Sequence, residues 1–141
     1  MNWIPYAAVT ALALAAADVC VKLASGKLSN SLGLLLYGAC TFATGLGWVL
    51  LERAQGMPLF ARPAGVVAAL GVGVSFSIVT VGLYLTFGAG APISLASPVI
   101  RLGGLLLAGI VGIALLREPL TARYVIGLAL AVAGMVLILT R

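Results

Sequence analysis

Charge is scarce in this chain. Asp, Glu, Lys and Arg together make up 8% of 141 residues, where soluble domains carry about a quarter. Histidine is absent, and only three acids are present: Asp18, Glu52 and Glu118. These shortages exclude most acid–base and metal chemistry, because the side chains that carry it are missing. No enzyme activity, no metal site and no cofactor is expected. A phosphate-binding glycine loop is lacking as well. The triplets "GLG", "GVG" and "GAG" lie in or beside apolar runs, without the strand context or the lysine such a loop needs.

What is present is apolar surface. Hydrophobic residues make up 63% of the chain, and the mean hydropathy is +1.25. A sphere of this size cannot hide so much apolar surface from water, so lipid is the solvent. The net charge of +5 raises the question of nucleic acid, but the eight Lys and Arg stand singly, with no basic stripe. They read as charges flanking membrane segments, and no nucleic-acid partner is expected. Cys20 and Cys40 lie in apolar stretches and read as small hydrophobes rather than a disulfide or a metal site. Near the N-terminus "ALALAAAD" offers a cleavage-like pattern, yet the first basic residue, Lys22, follows the apolar run instead of preceding it. That order reads as a retained transmembrane helix.

A membrane span needs about 20 apolar residues, because a helix rises about 1.5 Å per residue across about 30 Å of hydrocarbon. Five segments qualify: 3–24, 32–51, 64–87, 93–116 and 122–140. They predict a single all-α integral membrane domain over residues 1–141, multi-pass, with the lipid bilayer as its surroundings. The third and fourth spans are joined by the tight turn "GAGAP", and Pro119 separates the fourth from the fifth. Let side A be the side of the membrane on which the first span begins. Arg53, Arg62, Arg117 and Arg123 then fall on side A, and Lys22, Lys27 and Arg141 on side B. Four basic residues against three make side A cytoplasmic by the positive-inside rule. So narrow a margin also leaves room for a chain that inserts both ways.

Several faces are patterned. Ala7, Ala11, Ala15, Asp18 and Lys22 step by three or four residues and so share one side of the first span. Ser94, Ser97, Arg101, Gly104, Ala108 and Gly112 do the same in the fourth, and Gly127, Ala131 and Gly134 in the fifth. Small residues at this spacing let helices approach closely in lipid. The ionisable residues are costlier. A charge near the bilayer centre costs at least about 2.5–3.5 kcal/mol. Lys22 is close enough to its helix end to snorkel. Arg101 is eight residues into its span, about 12 Å deep, and Asp18 is six residues from the side-B end of its own, about 9 Å deep. The two fall at similar depth in the same half of the membrane. They can serve as a structural salt bridge, or line a water-filled cavity open to side B. Tyr37, Thr41, Thr80 and Tyr84 lie in that half and supply candidate polar walls. Ser97-Pro98 adds an interruption in the helix, of the kind that accompanies a cavity.

The stretch "PISLASPVIRLGGLLLAGIVGIALLREPLTARYVIGLALAVAGMVLI" resembles the closing half of an EamA domain of the drug/metabolite transporter superfamily. The likeness rests on Ser97-Pro98, the Leu116–Leu120 turn with Glu118, Ile126-Gly127 and Ala133-Gly134. The segment "DVCVKLASG" is similar to the end of that superfamily's first helix, with Lys22 at its lysine. Typical members have ten spans in two five-helix repeats of opposite orientation, and this chain looks like one repeat. The resemblance therefore implies the cell (inner) membrane, and pairing around a central site, as an antiparallel homodimer or with a related subunit. Two positions depart from the pattern. Small multidrug-resistance relatives carry a membrane Glu eight residues before the lysine, where this chain has Leu14; Asp18 stands one turn later. Those relatives carry an aromatic and no Arg in the fourth helix, so Arg101 is this chain's own feature and favours an anionic group over an organic cation.

The expectation is a transporter of a small metabolite or an anionic or lipid-linked compound, working by alternating access of paired five-helix units. Its candidate substrate-binding residues are Arg101, Asp18, Lys22, Tyr37, Thr41, Thr80, Tyr84, Ser97 and Pro98. The alternative is a non-transporting accessory subunit of a larger membrane complex, with Asp18 and Arg101 as a docking pair.

Overall fold

A computed structural model describes residues 3–117, 119 and 121–140. It consists of five helices: α1 (Ile4–Ala24), α2 (Asn30–Ala54), α3 (Pro63–Gly88), α4 (Ile93–Ala114) and α5 (Ala122–Leu139). Each is long and apolar enough to cross a membrane. The shortest, α5, has 18 residues and reaches about 27 Å. No strand occurs among the described residues. The chain is thus all-helical, with the architecture of a multi-pass membrane protein.

The helix ends follow from local chemistry. Pro5 and Pro63 stand in the first turns of α1 and α3, where no backbone N–H is needed. At α2 the Ser29 hydroxyl accepts the Leu32 N–H at 3.4 Å, which starts the helix at Asn30, two residues before the expected Leu32. Thr121 caps α5 in the same way, accepting from the Tyr124 N–H at 3.2 Å. Helix α4 stops at Ala114 instead of running to Leu116. The Leu116 N–H reaches back five residues to the Val111 carbonyl at 3.4 Å, outside the α-helical register, and Arg117 turns left-handed at φ 55°.

The chain divides into two compact units, Met1–Ala89 and Gly90–Arg141. In the first, α3 packs against both α1 and α2. Short connections alternate the direction of the three helices, so side B holds the end of α1, the start of α2 and the end of α3. The buried residues of this unit are Asp18, Gly33, Thr80, Leu83, Tyr84 and Phe87. Every one lies in the side-B half. The side-A half presents exposed Trp3, Tyr6, Trp48, Val67 and Leu70, as lipid-facing helices do.

Several hydroxyls in this unit bond back to their own helices. Thr10 donates to the Tyr6 carbonyl, Thr44 to Cys40, Ser77 to Gly73 and Thr80 to Phe76, at 2.8–2.9 Å. Back-bonding of this kind lets a hydroxyl face hydrocarbon without an orphaned donor.

In the second unit α4 packs against α5. The Tyr124 hydroxyl at the start of α5 lies where a Cβ on Gly109 of α4 would stand, so only glycine permits this approach. Gly112 is buried. Elsewhere the small-residue faces have room at individual positions. Ala7, Ala11 and Ala15 are exposed, and a Cβ added at Gly104, Gly127 or Gly134 would meet nothing within 4 Å.

Candidate functional site

Buried residues of α1, α2 and α3 lie at the side-B end of the first unit. On α3, Thr80, Leu83, Tyr84 and Phe87 are spaced three, one and three residues apart and form one buried face. Tyr84 points towards α2. A Cβ at Gly33 would stand 2.6 Å from the Cζ of the Tyr84 ring and 2.8 Å from its hydroxyl oxygen. Only a hydrogen fits there, and the phenol is thereby set close against the α2 backbone.

From α1 come the two ionisable residues. Asp18 is 4% exposed, a carboxyl almost completely enclosed on an apolar helix, six residues from its side-B end. Lys22 follows one turn later on the same face and is half-buried. Its Nζ lies over the Phe87 ring, 5.6 Å from the centroid, within the range of a cation–π contact. Phe87 is itself 3% exposed. The aromatic face steadies the ammonium while the lysine stem remains in apolar surroundings.

The candidate residues of α2 behave differently. Tyr37 is half-buried and forms part of the wall of an open groove of about 560 Å³ along α2 and α3, shared with Ser31, Leu34, Gly38, Phe42 and Ser77. Thr41 is exposed, and its hydroxyl donates to the Tyr37 carbonyl at 2.8 Å and to the Gly38 carbonyl at 3.0 Å. The structure thus gathers Asp18, Lys22, Thr80 and Tyr84 at the buried end of the unit, and leaves Thr41 on its outside.

Ser97, Pro98 and Arg101 belong to the second unit, where all three are half-buried on α4. Pro98 lies inside the helix. It has no N–H to give, so the Ser94 carbonyl one turn earlier receives no bond from residue 98. Arg101 follows three residues later, on the face of Ser94 and Ser97.

Gly33, Leu83 and Phe87 were not among the residues expected at the site. Phe87 and Leu83 had a signal, since they extend the Thr80–Tyr84 face at three-residue steps. Gly33 had none, being one of 18 glycines. Among the described residues no group of three or more His, Cys, Asp or Glu could hold a metal ion. Compared with known proteins, the chain matches no family model, no curated protein and no solved structure.

Proposed function

We propose that the chain is a membrane transporter subunit for a small metabolite or an anionic or lipid-linked compound, working as one of a pair of five-helix units. The observation that carries this reading is Asp18. A carboxyl 4% exposed on a spanning helix is tolerated as a charge only when paired or hydrogen-bonded, and ionisable residues within spans mark substrate, ion or proton pathways. Lys22, Thr80 and Tyr84 give the same end of the unit a polar lining. Arg101 supplies a cation suited to a carboxylate or phosphate. In the mechanism proposed, Arg101 holds the anionic group and Asp18 carries a coupling proton.

Pairing is supported by the room on the small-residue faces. Ala7, Ala11 and Ala15 on α1, and Gly127 and Gly134 on α5, offer close-approach seams that the single chain leaves open. The likeness of the sequence to one EamA repeat favours an antiparallel homodimer in the cell membrane, and the near balance of flanking charges leaves room for it. A related small subunit would complete the same architecture.

Proteoliposomes on a solid-supported electrode test the reading. Concentration jumps of mono- and dicarboxylates and of sugar phosphates should give charge movements. These should be lost in Arg101→Ala and Asp18→Asn variants that keep the size-exclusion profile of the parent. Currents unchanged in both variants would overturn the site assignment. A chain that gives none, and that purifies only in fixed stoichiometry with unrelated membrane subunits, is the accessory subunit instead. A C-terminal reporter that distinguishes the two membrane faces decides the orientation: signal from both faces is expected, and signal from one face alone removes the antiparallel homodimer.

A further inference from the structure

The loop between α2 and α3 combines features that neither the packing of the helices nor the proposed transport uses. Phe60 is 87% exposed, and Met57 and Leu59 are also exposed. All three lie outside any helix, where a water-facing connection is ordinarily polar. Arg53 and Arg62, both exposed, bracket the segment.

The loop is held in place at its first step. Helix α2 closes with paired bonds: the Gly56 N–H donates to the Arg53 carbonyl and the Met57 N–H to the Glu52 carbonyl, both at 3.0 Å. Gly56 adopts φ 72°, the left-handed conformation that this double closure needs and that glycine takes without strain. Met57 is therefore fastened at the level of the last helical turn rather than carried outward into water.

The level itself is marked by Trp48. Its indole Nε1–H donates to Glu52 Oε1 at 2.8 Å, while the ring is largely exposed. An amphipathic indole with its polar edge satisfied towards the helix end is what the headgroup boundary of a bilayer selects. Glu52 is the acid of this region, and Trp48 engages it. Arg53 and Arg62 then stand at headgroup depth, and the apolar residues between them have acyl chain ends within reach.

We propose that the segment Met57–Phe60 inserts into the side-A leaflet, with Arg53 and Arg62 binding the phosphates of anionic lipids around it. Complementary charge selects the occupant: two guanidinium groups flank an apolar insert, which fits an anionic lipid surface. This interaction is independent of transport and holds whether or not the chain carries a substrate.

The test uses the full-length chain in vesicles. In a Cys20→Ser, Cys40→Ser background, which removes both free cysteines, Phe60→Cys is labelled with a dansyl-type fluorophore. Quenching is compared between lipids carrying a doxyl group high on the acyl chain, as phosphatidylglycerol or as phosphatidylcholine, and with aqueous acrylamide. Strong doxyl quenching, weak acrylamide quenching and a preference for phosphatidylglycerol are expected. Replacing Arg53→Gln and Arg62→Gln should weaken that preference about fivefold for each arginine. Leu59→Cys with the same label provides a second reading if Phe60→Cys does not assemble. Three results overturn the proposal: quenching by acrylamide and not by lipid, which places the loop in water; shielding from both, which places a second copy or another protein over it; or equal quenching by the two lipids, which removes the arginines from the interaction.

Discussion

The two halves of the α1–α3 unit share the same three helices and nearly the same composition, yet only one half is packed. Towards side B, six residues are buried, and one close approach, Gly33 against Tyr84, brings α2 and α3 together. Towards side A, a Cβ added at Gly45, Gly47, Gly71 or Gly73 would meet nothing within 4 Å. Apolar character does not separate them, since both are rich in Leu, Val and Ala. The contrast shows what holds helices together in lipid. Hydrocarbon is as apolar as leucine, so association needs close van der Waals fit or polar contacts. The side-B half has both: a glycine that admits a phenol, and a lysine over an aromatic ring. The side-A half has glycines without a bulky side chain to receive.

This contrast can be broken most directly at Gly33. Gly33→Ala should destabilise the protein by about 1–3 kcal/mol, since the added methyl overpacks against the Tyr84 ring. Thermal unfolding in mild detergent reads the effect. Tyr84→Ala in the same background should remove most of the penalty, and strict additivity of the two changes would contradict the contact.

The same substitution should change sign in the other half. Gly45→Ala or Gly71→Ala adds a methyl to open space, so the gain in helix propensity, up to about 1 kcal/mol, is all that remains. A loss of stability at either site, accompanied by a shift from dimer to monomer on size exclusion, would show that a second copy occupies this half.

A smaller effect is expected at Phe87. Phe87→Leu keeps an apolar side chain but removes the ring under Lys22 Nζ, which should cost about 0.5–1 kcal/mol. In a Lys22→Met background the same change should cost measurably less, and an unchanged cost would remove the cation–π contact from the account. Smallest of all is Thr41→Val. Its hydroxyl is exposed and bonded only to its own helix, so unfolding should move by less than about 0.5 kcal/mol, and the proposed transport by no detectable amount. A clear loss of transport with stability unchanged would bring Thr41 into the site from a partner subunit.

How much of the site was legible follows from chemical contrast. Asp18, Lys22, Thr80 and Tyr84 stood out because each is polar within an apolar run, and the structure gathers them at the side-B end of the first unit. Thr41 stood out for the same reason and faces outward. A threonine that back-bonds to its own helix is equally comfortable in lipid and in a site, so the sequence does not separate the two. Gly33, Leu83 and Phe87 carry no such contrast. In water, burial would have written them into an alternation of apolar and polar residues. In lipid both faces of a helix are apolar, and that record is erased.

Read alone, the sequence determined the solvent, the number of helices and most of their limits. Span length and hydropathy are properties of consecutive residues, and each helix satisfies its own backbone within the bilayer. The ends that moved most did so through local chemistry: Ser29 and Leu116–Arg117 through single hydrogen bonds and one left-handed residue, and α2, which runs three residues past Leu51 to Ala54, through the closure at Gly56. Tertiary structure alone decided which half of the three-helix unit is packed, which polar residues turn inward, and which glycine is indispensable. Those outcomes depend on the fit between surfaces far apart in the chain, and hydrocarbon offers no solvent contrast to encode that fit one residue at a time.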